Sequence, residues 1–182
     1  MKLVKHLLLI SALSISSIAA AAHSHYVGAD AHWHSNSIRK LAKDFQPRHL
    51  HGGNVHTGVR FDNFWGIEAG THLTRAKKNG STSRVRGIHL GLVGVLPMVK
   101  EGVLDFIVGV GAAHIKHASN QPFYKLDVSR VVPRVMAGLE YKLCSSLKLR
   151  TALTYEGGMS LRRKAHIPRG RYGATVGLIY GL

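Results

Sequence analysis

The chain has 182 residues, with 25 Lys and Arg against 9 Asp and Glu, a formal charge of +16 and a mean hydropathy of +0.01. Near-neutral hydropathy with only 5 prolines excludes a disordered polybasic tail and a bundle of apolar helices, and the lone Cys144 excludes an intrachain disulfide framework. So large a positive surplus implies an anionic partner: nucleic acid, phosphorylated lipid or an acidic polysaccharide.

Residues 1–22 come first. Lys2 and Lys5 open the segment, an apolar stretch runs from Leu7 to Ile18, and Ala19 to Ala22 supply an Ala-x-Ala cleavage pattern. This reads as a secretory signal peptide rather than a spanning helix or retained anchor, and leaves 23–182 as the mature domain. No cysteine follows the small residues, so a lipid anchor is not expected. Export also removes nucleic acid from the possible partners.

After residue 22 no window offers the ~18 consecutive apolar residues of a spanning helix. Period-2 alternation instead recurs eight times. In Tyr26 to His34, Val27, Ala29, Ala31 and Trp33 oppose Gly28, Asp30, His32 and His34. In Asn54 to Asp62, Val55, Thr57, Val59 and Phe61 oppose His56, Gly58 and Arg60. In Trp65 to Thr74, Trp65, Ile67, Ala69 and Leu73 oppose Gly66, Glu68, Gly70 and His72. In Val85 to Leu96, Ile88, Leu90 and Leu92 oppose Gly87, His89 and Gly91.

The second half repeats the pattern. In Val103 to Ile115, Leu104, Phe106, Val108 and Val110 oppose Asp105, Gly109 and Gly111. In Arg130 to Leu143, Val131, Val135, Ala137, Leu139 and Tyr141 oppose Arg134, Gly138 and Glu140. In Leu147 to Glu156, Leu147, Leu149, Leu153 and Tyr155 oppose Lys148, Arg150, Thr154 and Glu156. In Arg171 to Leu182, Tyr172, Ala174, Val176, Leu178, Tyr180 and Leu182 oppose Arg171, Gly173, Thr175 and Gly177.

Each run approaches the ~9–11 residues with which a tilted strand crosses a bilayer. The intervening segments alternate long and short: Ser35 to Gly53, Asp62 to Phe64, Arg75 to Arg84, Pro97 to Gly102, Lys116 to Ser129, Cys144 to Ser146, and Gly157 to Gly170. The expected fold is therefore all-β: an eight-stranded antiparallel up-and-down transmembrane barrel. Its short turns and both termini are expected on the periplasmic side, and its longer loops outside.

A soluble barrel with the apolar face inward is the alternative. The polar face argues against it, being rich in Gly, His and Thr, which suit a narrow interior, rather than in long exposed charges. Asp30, His32, Arg60, Glu68, Asp105, Arg134, Glu140, Arg150 and Glu156 are expected to form a neutralising network inside; Asp62 and Lys148 share or adjoin that face. A lipid-facing Arg or Lys at the midplane would cost about 2–4 kcal/mol. Aromatic residues fall near the strand ends: Trp33, Tyr155 and Tyr172 at the outer boundary, and Phe61, Trp65, Tyr141 and Tyr180 at the periplasmic one.

The sequence ends in TVGLIYGL. Thr175, Gly177, Tyr180 and Leu182 match in order the C-terminal assembly signal of bacterial outer-membrane barrels, although Leu182 stands where that family usually has Phe. Together with YVGADAHW, HTGVRFDNFWGIEAG and MAGLEYKLCSSLKLRTALTYE, this makes 23–182 resemble the small outer-membrane barrels of the OmpA/OmpX type, without the peptidoglycan-binding domain of longer OmpA proteins. The resemblance implies integral outer-membrane location, no cofactor, insertion by the outer-membrane assembly machinery, and contact with lipopolysaccharide.

The chemistry-bearing residues suit a binding role. Arg39, Lys40, Lys43 and Arg48 are expected in the first outer loop, Arg75, Lys77, Lys78 and Arg84 about the second, and Arg162, Arg163, Lys164 and Arg169 in the fourth. These cations suit lipopolysaccharide phosphates or acidic host glycans; a solvated cationic rim is the plain alternative. Thirteen histidines include His23-x-His25, His32-x-His34 and His49-x-His51. Strand mates at i and i+2 share a face and can chelate, but without cysteine they are read as neutral interior side chains and no metal is expected. His34-Ser35-Asn36 has residue types found in lipid A-modifying barrel enzymes, which the same resemblance brings in as the rival class. A narrow ion-leak pore is the third.

Overall fold

The computed structural model describes residues 24–36, 49–61, 64–99, 102–121, 124–157 and 170–182. The 1–22 segment, Arg39, Lys40, Lys43, Arg48, Asp62, Arg162, Arg163, Lys164 and Arg169 lie outside the described residues.

Eight strands form among these residues: β1 (Ser24–Asn36), β2 (His49–Arg60), β3 (Trp65–Lys78), β4 (Ser81–Pro97), β5 (Leu104–Gln121), β6 (Tyr124–Lys142), β7 (Leu147–Gly157) and β8 (Gly170–Gly181). Each pairs antiparallel with its sequence neighbour, and β8 pairs with β1 to close the barrel. Closure satisfies every edge, as a wall in hydrocarbon requires. At the seam Leu182 N donates to His25 O at 2.9 Å.

The barrel is inside out relative to a soluble protein. Leu90, Val108 and Leu178 are 60%, 41% and 46% exposed, whereas Glu68 and Glu140 are 3% and 0% exposed. Large apolar side chains cover the outer wall, including Val27, Val55, Ile88, Leu92, Val110, Val131, Leu153 and Val176. An apolar surface of that extent is stable only against lipid. Aromatic residues flank it. Phe61 stacks on Trp65 with ring centres 4.5 Å apart at the terminal end, where β1 begins and β8 finishes and where Tyr141 and Tyr180 are also exposed. Tyr155 and Tyr172 lie 5.0 Å apart at the distal end, where Trp33 stacks on His49 at 5.3 Å.

Three differences from the sequence reading concern the distal end, the first being that β2 starts at His49, inside the expected Ser35 to Gly53 connection, and pairs there with β1. The expected Arg75–Arg84 loop is strand up to a two-residue turn, Asn79-Gly80, with φ of 46° and 74°. Positive φ at both positions is the type I′ geometry that Asn-Gly favours and that matches strand twist. The expected Lys116–Ser129 loop is likewise largely strand, paired from Lys116↔Ser129 to Gln121↔Tyr124. Apart from Ala76, Gly80 and Ala118, residues 75–84 and 116–121 are polar on both faces and carry no hydrophobic alternation, whereas Tyr124, Leu126 and Val128 alternate with Lys125, Asp127 and Ser129 on the returning arm. Arg75, Lys77 and Lys78 are therefore on β3 rather than in a loop.

The interior also holds apolar patches beside its polar network. Leu50, Val85, Ala113, Ile115 and Val132 form one cluster; Val93, Val95, Ile107, Met136 and Ala152 form another. The sequence reading assigned the interior to polar groups because β4 and β5 are apolar on both faces, which hides the inward members.

Candidate functional site

Two features carry chemistry: the charged interior and the outward-facing distal wall. Strand parity builds the first. All nine network residues expected from sequence point inward, because each falls on the even or odd set that its strand turns to the interior. The structure joins them in two groups rather than one.

The group nearer the termini centres on Arg150, which is 2% exposed. Its Nη2 and Nε donate to Glu140 Oε1 at 2.7 and 3.1 Å, and its Nη1 donates to Glu68 Oε2. Arg60 Nη2 adds donations to both Glu140 oxygens, at 2.7 and 2.6 Å. Lys148 Nζ bridges Asp105 at 2.8 Å and Glu140 at 3.4 Å. Tyr26 donates its hydroxyl to Glu68 at 2.9 Å, while the Arg60 and Arg150 guanidinium carbons lie 5.3 and 5.6 Å from its ring centre. Asp30 accepts from Asn54 at 2.8 Å and sits 3.2 Å from His56. Burial in low dielectric makes each unpaired charge costly, so dense mutual pairing is what lets these groups stay inside.

The second group centres on Glu156. Arg171 Nη2 donates to it at 2.8 Å, Arg134 Nε lies 3.9 Å away, and His34 Nε2 lies 3.8 Å away. His32, which belongs to this region, packs 3.9 Å from His34 and 5.2 Å from His72. Arg171, His34, His56, His72, Asn54 and Tyr26 were not singled out from sequence as network members. Parity alone could have placed them, since Tyr26 shares the face of Gly28 and Asp30.

The interior leaves little room for a pore. Arg150, Glu140 and Glu68 meet across it from three strands, and a cavity of about 170 Å³ at the terminal mouth is lined by Tyr26, Arg60 and Lys148 among others. His34 and Ser35 occupy opposite faces of β1: His34 is buried inside, its Nδ1 3.4 Å from Thr74 Oγ1. Adjacent strand residues point to opposite sides of the wall, so this pair does not make a nucleophile and its base.

The distal wall shows an abrupt change. On β3 the outward series Ala69, Thr71, Leu73 continues as Arg75 and Lys77; on β4 Leu92, Leu90, Ile88 continues as Arg86 and Arg84; on β5 Val110, Ala112 continues as His114 and Lys116. The register sets cations side by side at Arg75↔Arg84 and Arg86↔Lys116, with His51 opposite Arg75. Lys116 also meets the exposed Asp127 at 3.4 Å. Of the C-terminal set, Thr175 and Gly177 line the interior side while Tyr180 and Leu182 are exposed.

The model of the outer membrane protein beta-barrel domain matches residues 6–176. The chain belongs to this outer-membrane β-barrel family. Solved barrels show the same fold. Neisserial surface protein A is 13% identical with a TM-score of 0.63, covering 86% of this chain and 96% of that one. The N-terminal β-barrel domain of Pseudomonas aeruginosa OprF is 14% identical with a TM-score of 0.58, covering 86% and 97%. Ail, the attachment invasion locus protein of Yersinia pestis, is 15% identical with a TM-score of 0.57, covering 87% and 97%. Ail in complex with the heparin analogue sucrose octasulfate is similar too, at 16% identity, a TM-score of 0.53 and coverage of 87% and 97%. No curated protein sequence matches the chain significantly. This outer-membrane barrel is thus an integral envelope protein with a lipid-facing belt and a charge-paired interior.

Proposed function

We propose that this outer-membrane barrel is a non-enzymatic surface protein that binds phosphate- or sulfate-bearing saccharide, lipopolysaccharide first, through its distal wall. The termini and short turns then face the periplasm, and the extended hairpins face outward. The reading rests on one observation: on three adjacent strands the outward column switches from apolar to cationic beside its neighbours' switch. Like charges directly opposite across strands repel, and a polyanion lying over Arg75, Arg84, Arg86 and Lys116 relieves that repulsion. Lipid A phosphates sit where an apolar belt ends, and Arg binds them through charge-assisted bonds. The structural likeness to Ail, solved with a heparin analogue, accords with this chemistry. Arg39, Lys40, Lys43, Arg162, Arg163 and Lys164 would extend the cationic surface from the loops.

Replacing Arg75, Arg84, Arg86 and Lys116 together by Gln tests it. The variant, refolded in detergent, is expected to lose about tenfold or more in affinity for immobilised lipopolysaccharide or heparin at low salt, with a flatter salt dependence. Unchanged affinity in a correctly folded variant refutes the assignment. A matched Arg162, Arg163 and Lys164 variant measures the loop contribution separately.

A further inference from the structure

The interior group around Glu156 contains an arrangement that ion pairing does not explain. His34, His72 and Glu156 each offer a ligand atom, and these atoms all lie within 4.8 Å of one another. The three residues are 0%, 2% and 1% exposed, and His32, beside them, is 3% exposed. Among the described residues, His34 Nε2, His72 Nε2, Glu156 Oε1 and both nitrogens of His32 are buried without a hydrogen-bond partner. Buried polar atoms are nearly always partnered, so the unpartnered His34 Nε2, His72 Nε2 and Glu156 Oε1, with the His32 ring packed against His34 and His72, mark a place for an occupant.

The atoms that do have partners are the ones a metal site would want engaged. His34 Nδ1 lies 3.4 Å from Thr74 Oγ1, which orients the ring and leaves Nε2 facing inward. Glu156 Oε2 accepts from Arg171 and lies 3.8 Å from His34 Nε2, while Oε1 has no hydrogen bond and only the longer 3.9 Å approach of Arg134 Nε. Outer contacts of this kind hold ligands in place and fix the imidazole tautomer. Two glycines make the room: a Cβ at Gly87 would come within 2.2 Å of His72 Cε1, and one at Gly173 within 2.8 Å of His32 Nε2.

We propose that His34, His72 and Glu156, with His32 as a fourth ligand, form a binding site for a divalent transition-metal ion inside the barrel. Imidazole nitrogens with one carboxylate suit Zn²⁺, Co²⁺, Ni²⁺ or Cu²⁺, whereas Ca²⁺ and Mg²⁺ require oxygen-rich cages. Bonds of roughly 2.0–2.1 Å draw the ligand atoms together by small side-chain rotations. Arg134 and Arg171 oppose the ion's charge, and Glu156 is the carboxylate they both approach. Removing Arg134, which is not a ligand, should therefore tighten binding.

The chain, refolded into detergent micelles without a histidine tag, is titrated with Co²⁺ and followed by visible absorption, with Zn²⁺ as competitor. Folding of each variant is confirmed by its migration with and without heating. The expected result is one saturable site with the intense bands of low-coordinate Co²⁺, displaced by Zn²⁺. It should be lost in His34→Ala and in His72→Ala, weakened about tenfold in Thr74→Val, tightened in Arg134→Gln, and intact in the His49→Ala, His51→Ala double variant. No saturable Co²⁺ spectrum overturns the proposal. So does binding that survives both His34→Ala and His72→Ala, or a chamber that takes up chloride or phosphate while excluding Co²⁺.

Discussion

Arg150 ties two buried carboxylates together, bonding Glu140 and Glu68 while almost fully buried itself. Removing one member of such a set strands the rest. Arg150→Met is therefore expected to lower unfolding free energy by about 3–5 kcal/mol, measured by urea titration in lipid vesicles. Adding Glu68→Gln should recover part of that loss, because the carboxylate left without its guanidinium is gone, whereas Glu140 still keeps Arg60 and Lys148. A loss under about 1 kcal/mol for Arg150→Met alone would show that water already solvates the group. The outer wall obeys the opposite rule. Leu90→Arg, midway along the apolar series of β4, should cost about 2–4 kcal/mol in the same assay. A neutral result there would mean that Leu90 does not face hydrocarbon.

Among the elements, the β3–β4 hairpin and the β8–β1 seam are the most exposed to single changes. Gly80 has φ of 74° in the distal turn, where a β-branched residue is strained. Gly80→Val is expected to destabilise that hairpin by about 1 kcal/mol or more, seen as faster amide exchange in Arg75 to Arg86. Exchange in the membrane belt should stay slow, because local opening there is a separate event. Gly177 is different: an added Cβ would lie 2.1 Å from Ala29 O and 2.4 Å from Asp30 Oδ1 across the seam. Gly177→Val should therefore block closure, leaving most of the protein in the form that migrates identically before and after heating. Normal folding yield in that variant would mean that β8 can shift away from β1.

As a whole molecule the barrel separates charge along its axis. Toward the termini Asp30, Glu68, Asp105 and Glu140 face Arg60, Lys148 and Arg150; toward the distal end Glu156 faces Arg134 and Arg171. Opposite surpluses at the two ends, with ion pairs spanning the interior between them, describe a plug. Planar-bilayer recordings are expected to show no stable open step of a water-filled channel. A lasting step in the wild-type barrel would contradict a filled interior.

The sequence alone was enough to determine the eight strands, their antiparallel order and the face that each turns to lipid. Those depend on period-2 alternation, which is local and repeats along each strand. It did not reveal the length of the distal hairpins, because residues 75–84 and 116–121 are polar on both faces once the strands leave the apolar belt, and the alternation of 124–129 is too short to stand by itself. Parity also told which charges lie inside, as with Glu68, Arg134 and Glu140, but not which of them meet. Arg150 bonds Glu68, 82 positions away, and Thr74 orients His34, 40 positions away. Those pairings exist only because closure of β8 on β1 brings strands far apart in sequence around one narrow axis, where depth and stagger decide the neighbours. The same closure gathers His34, His72 and Glu156 from β1, β3 and β7, a grouping that no spacing along the chain foretells.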